Sequence, residues 1–461
     1  MKYSFTHIYD PEGNLVWSGP YGQRSVALVL ISETRQNLTL KRLLAASQIG
    51  VKRIDSAKVL RTAVELGFVD TNGTPIGFLN TLPRGAYLNE CLSAYDRNFY
   101  LPRIKSHRVD FPLVFDSSQA DMAALIHGFE KQGSLFAISK DLRLSYAADT
   151  GFFPWLRGRK VDSVKTPYTV YSPTNYMRKG KSGELNGLNR VHQFGFPDLH
   201  TICTEENGLD RYTEMAAVAA DGMRFFLNDD WAQFIDIEEK FLKRNPEIPS
   251  RLAREVKQWT VVHEFPIRPR YYSMRSGLVC DAGFGQIMLY NFQWDDTNAE
   301  RFNIQFVDRG DNPVVIHSTL MGGISRLLPV LISRGLIGDT LKIIPAELSR
   351  WQLSLIPTSV GEIQAATEIG ECLRQNGIAA KVIKPEFSLR KKIGLVIQNW
   401  DQYYAVIGKK EASGDEVFVQ SRPGLPAQNL SSWMEQIKLK LTLCQKDIVP
   451  WEVDLPFPEN S

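Results

Sequence analysis

The stretch MRKGKSGELNGLNRVHQFGFPDLH, residues 177–200, restricts what this chain can fold into more than any other. Two arginines, Arg178 and Arg190, bracket a run of Gly, Lys, Ser and Asn, a composition that favours a loop over helix or strand. Beyond Arg190 the chain turns extended and apolar until Asp198 and His200 interrupt it. Two extended arms around a polar loop read as a hairpin. Guanidiniums at its neck suit an anion, because their planar forks match the oxygens of carboxylate and phosphate.

At 461 residues the chain is too long for one ordinary core, so two or three domains are expected. An apolar fraction of 43% beside 23% charged residues is that of a soluble globular protein. No window approaches the roughly 18–20 unbroken apolar residues of a membrane span, and MKYSFTHIYDPEGN at the start lacks an apolar signal core. A membrane partner is therefore not expected, and the expected location is cytoplasmic. The formal net charge of +3 permits nucleic acid as a partner without demanding it. The five cysteines, Cys91, Cys203, Cys280, Cys372 and Cys444, form no CxxC pair, which excludes a disulfide framework and a structural zinc knuckle.

Residues 1–75 read as a small extension of unknown role: strands in YSFTHIYD, LVWSG and SVALVLIS, then helical periodicity from Leu38 to about Phe68, broken near Gly50. In residues 76–335, GAYLNECLSAYDRNFYLPRIKSHRVDFPLVFD reads as a helix followed by a strand containing Pro112. Further strands are expected at SLFAISK, YTVYSP, VHQFGF and HTICTE, and a helix at TEMAAVAADGMRFFLNDD. Hairpin-like strands with helices set apart favour an α+β fold around an antiparallel sheet. Residues 340–445 alternate as βαβαββα, with Gly377 at a helix C-cap and Ser431 or Ser432 capping the last helix. Residues 446–461 are a tail.

The two larger segments together resemble a class II aminoacyl-tRNA synthetase of the threonyl type. RKGKSGELNGLNRVHQFGFPDLHTICTEE follows the family's motif 2; PVVIHSTLMGGISRLL, with His317 nine residues before Arg326, its motif 3; and the segment ending at Pro112 its motif 1. ERFNIQFV at 300–307 and the C-terminal module, which resembles an anticodon-binding domain, fall in the family's order. The resemblance implies an antiparallel-sheet catalytic domain, activation of an amino acid by ATP with Mg²⁺, transfer to tRNA, and a homodimer built through motif 1. It implies that Arg178 and Arg326 act catalytically and that Arg178, Arg190 and Arg326 bind ATP. The chemistry agrees: a pentacovalent α-phosphate beside a carboxylate needs fixed guanidiniums.

In the threonyl family a cysteine and two histidines hold a zinc ion that meets the substrate. His200 and His317 stand at the histidine positions, and Asp149, in AADTGF, at the cysteine's. Asp-His-His is an accepted catalytic donor set for Zn²⁺, although harder than one with thiolate. Against the metal stands the reading of two buried, hydrogen-bonded histidines. Amino-acid contacts fall on Asp198, which the family keeps, and on Phe196 and Met288, which replace glutamines. Gly180 and Ser325 replace family glutamates. Glu411, Gln420 and Arg422 fall near the positions that read anticodon bases. No counterpart of the family's editing region is expected in the first 75 residues. Recognition of the substrate is thus rewritten more than recognition of phosphate. Besides a tRNA ligase, an adenylate-forming paralogue with a non-tRNA acceptor and a catalytically silent binding or regulatory protein remain open.

Overall fold

The structure, a computed structural model, describes residues 2–26, 38–44, 54–180, 185, 187–227, 231–268, 270–320, 324–337, 342–383, 386–422 and 424–444. The chain divides into two compact units. One comprises residues 1–53 and 100–330, the other residues 54–99 and 331–461.

The first unit is organised by a ten-stranded sheet. Its strands are Phe5–Tyr9 (β1), Leu15–Pro20 (β2), Ser106–Arg108 (β3), Tyr168–Met177 (β4), Gln193–Cys203 (β5), Ala232–Glu238 (β6), Thr260–Phe265 (β7), Tyr272–Asp281 (β8), Gln286–Asp295 (β9) and Val314–Thr319 (β10). They lie in the order β2-β1-β7-β6-β8-β9-β10-β5-β4-β3, and only the β6·β7 and β3·β4 pairs are parallel. The alternation of Phe, Tyr and Val with polar residues and the Asp10 turn, where the carboxylate accepts from the Glu12 and Asn14 N–H groups, close the first hairpin. The β5 strand is buried on both faces from Pro197 to Cys203 and therefore needs cover. Helix Glu205–Phe226 packs there with Tyr212, Met215, Ala216, Ala219 and Met223 buried at helical spacing. It starts in a reciprocal box in which Thr204 Oγ1 accepts from Asn207 N–H and Asn207 Oδ1 from Thr204 N–H. Gly222 is required in this helix, because a Cβ there would fall 2.3 Å from Tyr100 Oη.

The second unit contains Leu353–Pro357 (β11), Ala380–Val382 (β12), Tyr403–Ile407 (β13), Phe418–Ser421 (β14) and Gln428–Asn429 (β15), ordered β12-β11-β13-β14-β15. Leu355, Leu373, Ala405, Val419, Trp433 and Ile437 form its core. Helix Ile363–Gln375 ends before Gly377, whose φ of +74° is that of a C-terminal cap.

Several local expectations are corrected. SLFAISK forms no strand; only an isolated bridge joins Ala137 to Arg143. Pro112 lies between β3 and Val114–Asp116 rather than inside a strand, as a residue with no N–H to give a ladder would. VHQFGF and HTICTE are one continuous strand, β5. The last helix, Leu430–Cys444, is capped by neither Ser431 nor Ser432: Asn429 Oδ1 accepts the Ser431 N–H. The compact units also ignore a boundary at residue 75. Strands β1 and β2 extend the large sheet, joined by main-chain bonds that any sequence can supply, whereas residues 54–99 group with residues 331–461. The strand expected at 25–32 falls mostly outside the described residues, as do the break near Gly50 and the tail 446–461. Among the described residues no helix is long and apolar enough to cross a membrane.

Asp96, between helix Pro83–Tyr95 and residue 100, is a buried carboxyl whose Oδ1 has no partner among the described residues. Burial raises its pKa well above the usual carboxylate range, only partly offset by Arg97. An acid with a raised folded-state pKa leaves stability intact below its unfolded value of about 3.9 and erodes it as pH rises through the folded value. Asp96→Asn should therefore stabilise the protein at neutral pH by about 1–3 kcal/mol, with the gain fading near pH 4. Denaturant melts at the two pH values read this directly; equal melts would refute it.

Candidate active site

Register across the large sheet lays polar side chains in rows. His200 on β5 faces His317 on β10, His317 faces Gln293 on β9, Gln293 faces Arg275 on β8, and Arg275 faces Asp236 on β6. Two residues along, and so on the same face, come Asp198, Thr319, Asn291 and Gly277. Gly277 keeps its strand close to its neighbours, since a Cβ would meet Phe234 Cε1 at 2.6 Å and Tyr290 O at 2.7 Å.

Asp149 opens helix Asp149–Leu156 and reaches the first row. Its Oδ1 lies 2.9 Å from His200 Nε2 and 2.8 Å from His317 Nδ1. On its far side His317 Nε2 lies 2.8 Å from Asp295 Oδ2, and Asp295 is itself held by the N–H groups of Thr297 and Asn298 and by the Asn298 amide. Phe152 stacks on His200 at 4.5 Å, whereas Asp149 and His317 line the cavity. Burial alone would raise the Asp149 pKa, but His317 and His200 outweigh it and hold the carboxylate well below the usual range. Burial alone would lower His317, but Asp149 and Asp295 push it up to about 10. Asp198, whose Oδ2 accepts from Ala148 N–H at 2.8 Å, is raised by burial and by Asp149.

The donor atoms of Asp149, His200 and His317 lie within 4.8 Å of one another and all three residues are buried. One carboxylate and two imidazoles fit a divalent metal that keeps a position open. Asp295 on the outer nitrogen of His317 is the partner by which a ligating imidazole is oriented. His200 Nδ1 is buried and lacks a partner among the described residues, so His317 is the better supported of the two histidines.

The arginines occupy other walls of the same cavity, of about 750 Å³. Arg178 donates from Nη2 to Tyr146 O at 3.3 Å and lies 5.4 Å from the Phe194 ring; its buried Nε has no partner among the described residues. Arg326 donates to Asn189 Oδ1 at 2.9 Å. Burial, then the charges of Arg178 and Arg190, lower its pKa to about 10. Among the described residues none of the three arginines is ion-paired with a carboxylate. Three guanidiniums gathered in one concavity against two carboxylates, Asp149 and Asp198, make a receptor for an anion.

The cavity thus brings together Asp149, Arg178, Arg190, Phe196, Asp198, Met288, His317 and Arg326, with His200 directly behind Asp149. Glu411, Gln420 and Arg422 belong to the second unit. Glu411 Oε2 accepts the Gly408 N–H at 2.8 Å, Arg422 Nη1 donates to Asp401 O at 3.1 Å, and Gln420 faces Tyr404 in the β13·β14 pair. Sequence reasoning missed Tyr271, whose hydroxyl donates to Gln293 Oε1 at 2.5 Å, and also Gln293, Arg275, Asn189 and Asp295. A signal was present in NFQWD, where Asn291, Gln293 and Asp295 alternate with Phe292 and Trp294, the pattern of a strand with one polar face.

No family model matches the chain. The threonine–tRNA ligase of Cenarchaeum symbiosum is 27% identical over 368 residues, 75% of this chain and 58% of its own length. That of Methanococcoides burtonii is 26% identical over 365 residues, 76% and 56% of the two chains. The chain therefore spans a little over half the length of these curated relatives. Among solved structures, the RNA binding domain of threonyl-tRNA synthetase from Cryptosporidium parvum superposes with a TM-score of 0.69 at 21% identity, over 84% of this chain and 98% of that one. Prolyl-tRNA synthetase from the same organism, complexed with L-proline and AMP, gives 0.63 at 13% identity over 84% and 75%. With its antiparallel sheet and this kinship, the chain is a homologue of the threonyl-tRNA synthetases built on the class II synthetase fold.

Proposed function

We propose that the protein is a ligase that activates an amino acid with ATP to an aminoacyl-adenylate and passes it to tRNA, acting as a cytoplasmic homodimer in protein biosynthesis. One observation carries this reading: three guanidiniums without carboxylate partners share a cavity with the Asp149, His200 and His317 cluster. In the reaction a carboxylate oxygen attacks the α-phosphorus of ATP, the bond to the pyrophosphate oxygen breaks, and Mg²⁺-bound pyrophosphate leaves. No proton moves, so the protein's work is positioning and charge neutralisation. Arg178 spans the reacting carboxylate and α-phosphate, while Arg190 and Arg326 hold the outer phosphates. Asp198 orients the amino acid, and Phe196 and Met288 give its side chain an apolar boundary. A divalent ion such as Zn²⁺ held by Asp149, His200 and His317 would supply a Lewis-acidic seat for an amine and a hydroxyl. Residues 340–445 serve acceptor recognition, with Glu411, Gln420 and Arg422 as the weakest part of the reading, because Glu411 and Arg422 are engaged internally. That engagement favours, as a second reading, an acceptor other than tRNA.

ATP–pyrophosphate exchange over a panel of amino acids, with gel shifts of tRNA at low salt, tests both. Exchange with at least one hydroxy amino acid is expected. Exchange without any tRNA shift selects the second reading, and no exchange with any amino acid would leave only a binding or regulatory protein.

A further inference from the structure

Two side chains in the polar row are each held to the protein by one edge and leave the other edge unmatched. Arg275 on β8 donates from Nη2 and Nε to Asp236 Oδ2, at 2.5 and 3.2 Å, and its guanidinium carbon lies 5.0 Å from the centre of the Phe234 ring. Its Nη1 has no partner among the described residues. Gln293 on β9 accepts the Tyr271 hydroxyl on Oε1 at 2.5 Å. A phenol keeps its proton at neutral pH and therefore takes the oxygen end of the amide, which leaves Gln293 Nε2 without a partner among the described residues. Arg275 and Gln293 are register partners across β8 and β9, and both line the cavity. Two N–H donor groups thus stand side by side, and the group that matches them only accepts: an oxo oxygen of a carboxamide or a carboxylate.

Their place in the sheet says which part of a ligand this is. The strands run β8-β9-β10-β5-β4, with His317 on β10, His200 on β5 and Arg178 directly after β4. The donor pair therefore lies on the far side of the Asp149 and histidine cluster from Arg178. Gln293 is one strand from His317 and Arg275 two, about 4.8 and 10 Å between main chains, which side chains of this length span. An amino acid with its reacting carboxylate at Arg178 and its amine and hydroxyl at the cluster sends the rest of its side chain toward the pair. We propose that Gln293 and Arg275 form a specificity pocket for an oxo group at the end of that side chain, so that the preferred substrate is a β-hydroxy amino acid longer than threonine, with a carboxamide or carboxylate beyond its hydroxyl. Threonine ends in a methyl group there and leaves both donors unpaired, a mismatch that hydrogen-bonding sites penalise strongly. The proposal rests on the reading of the cavity as a site that activates an amino acid with ATP.

The test is ATP–pyrophosphate exchange by the full chain with L-threonine, L-threo-3-hydroxyasparagine, which carries the carboxamide, and L-threo-3-hydroxyaspartate, which carries the carboxylate. For one of the two longer substrates kcat/KM should exceed that for threonine by about 10–100-fold, and which one it is tells carboxamide from carboxylate. Gln293→Met leaves the Arg275 and Asp236 pair in place, and Arg275→Lys keeps the charge beside Asp236 while removing the fork. Each should shrink the ratio about tenfold, chiefly through KM, whereas a purely structural role would lower all three substrates together and leave the ratio as it was. Threonine preferred over both longer substrates, or a ratio that survives both substitutions, overturns the pocket and leaves the proposed function standing. No exchange with these three or with any other amino acid overturns both.

Discussion

Arg178→Ala should lower the rate of ATP–pyrophosphate exchange by about 10²–10³-fold while changing the affinity for the amino acid much less. The side chain is half-buried, its Nε is unpaired, and its neighbours are rings and a carbonyl rather than a carboxylate. Asp149 and Asp198 favour its charge through space, but among the described residues no carboxylate pairs with it directly. A guanidinium in this state gains most from the species with the greatest negative charge, which is the pentacovalent phosphate and not the substrate carboxylate. Burial lowers the Arg178 pKa, yet from so high a starting value that the group remains charged at any working pH. Arg178→Lys should restore part of the rate, since charge returns without the bidentate fork. Steady-state exchange kinetics decide the matter: a loss under about tenfold for Arg178→Ala would remove Arg178 from the chemistry.

The second large effect concerns the metal. Protein purified with zinc supplied should carry close to one ion per chain, and Asp149→Ala should abolish this by removing one of three donors. Asp295→Asn tests the arrangement more finely. Asp295 touches none of the other two ligands, but it accepts from the outer nitrogen of His317, and losing that charge should weaken metal affinity about 10–100-fold. Elemental analysis and chelator competition measure both. Wild type holding less than about a tenth of an ion per chain would show that the mutual contacts of Asp149, His200 and His317 are the working state.

The legibility of the site followed the reach of local signals. Arg178, Arg190, His200 and Asp198 share one hairpin, so their common destination could be read from a single segment, and Asp149, His317 and Arg326 followed from spacing within a resemblance. Asp295 and Gln293 were overlooked although NFQWD alternates plainly, because alternation gives a face and not the identity of the strand beside it. Arg275 and Asp236 could not have been linked. Their connection depends on β6 lying against β8, and those neighbours meet through backbone groups common to every residue. The same limit explains SLFAISK, whose β propensity meets only the three-residue strand Leu142–Leu144 and stops at a single bridge.

The polar row from Asp236 to His200 behaves as a graduated scale. Its divisions, about 4.8 Å each, are set by main-chain hydrogen bonds, so exchanging the side chain at one division leaves the spacing of the others unchanged. A lineage can therefore alter what is gripped at Gln293 or Arg275 without shifting the His317 end. Distances across the strands are inherited with the sheet, while the chemistry at each division is free to drift one residue at a time.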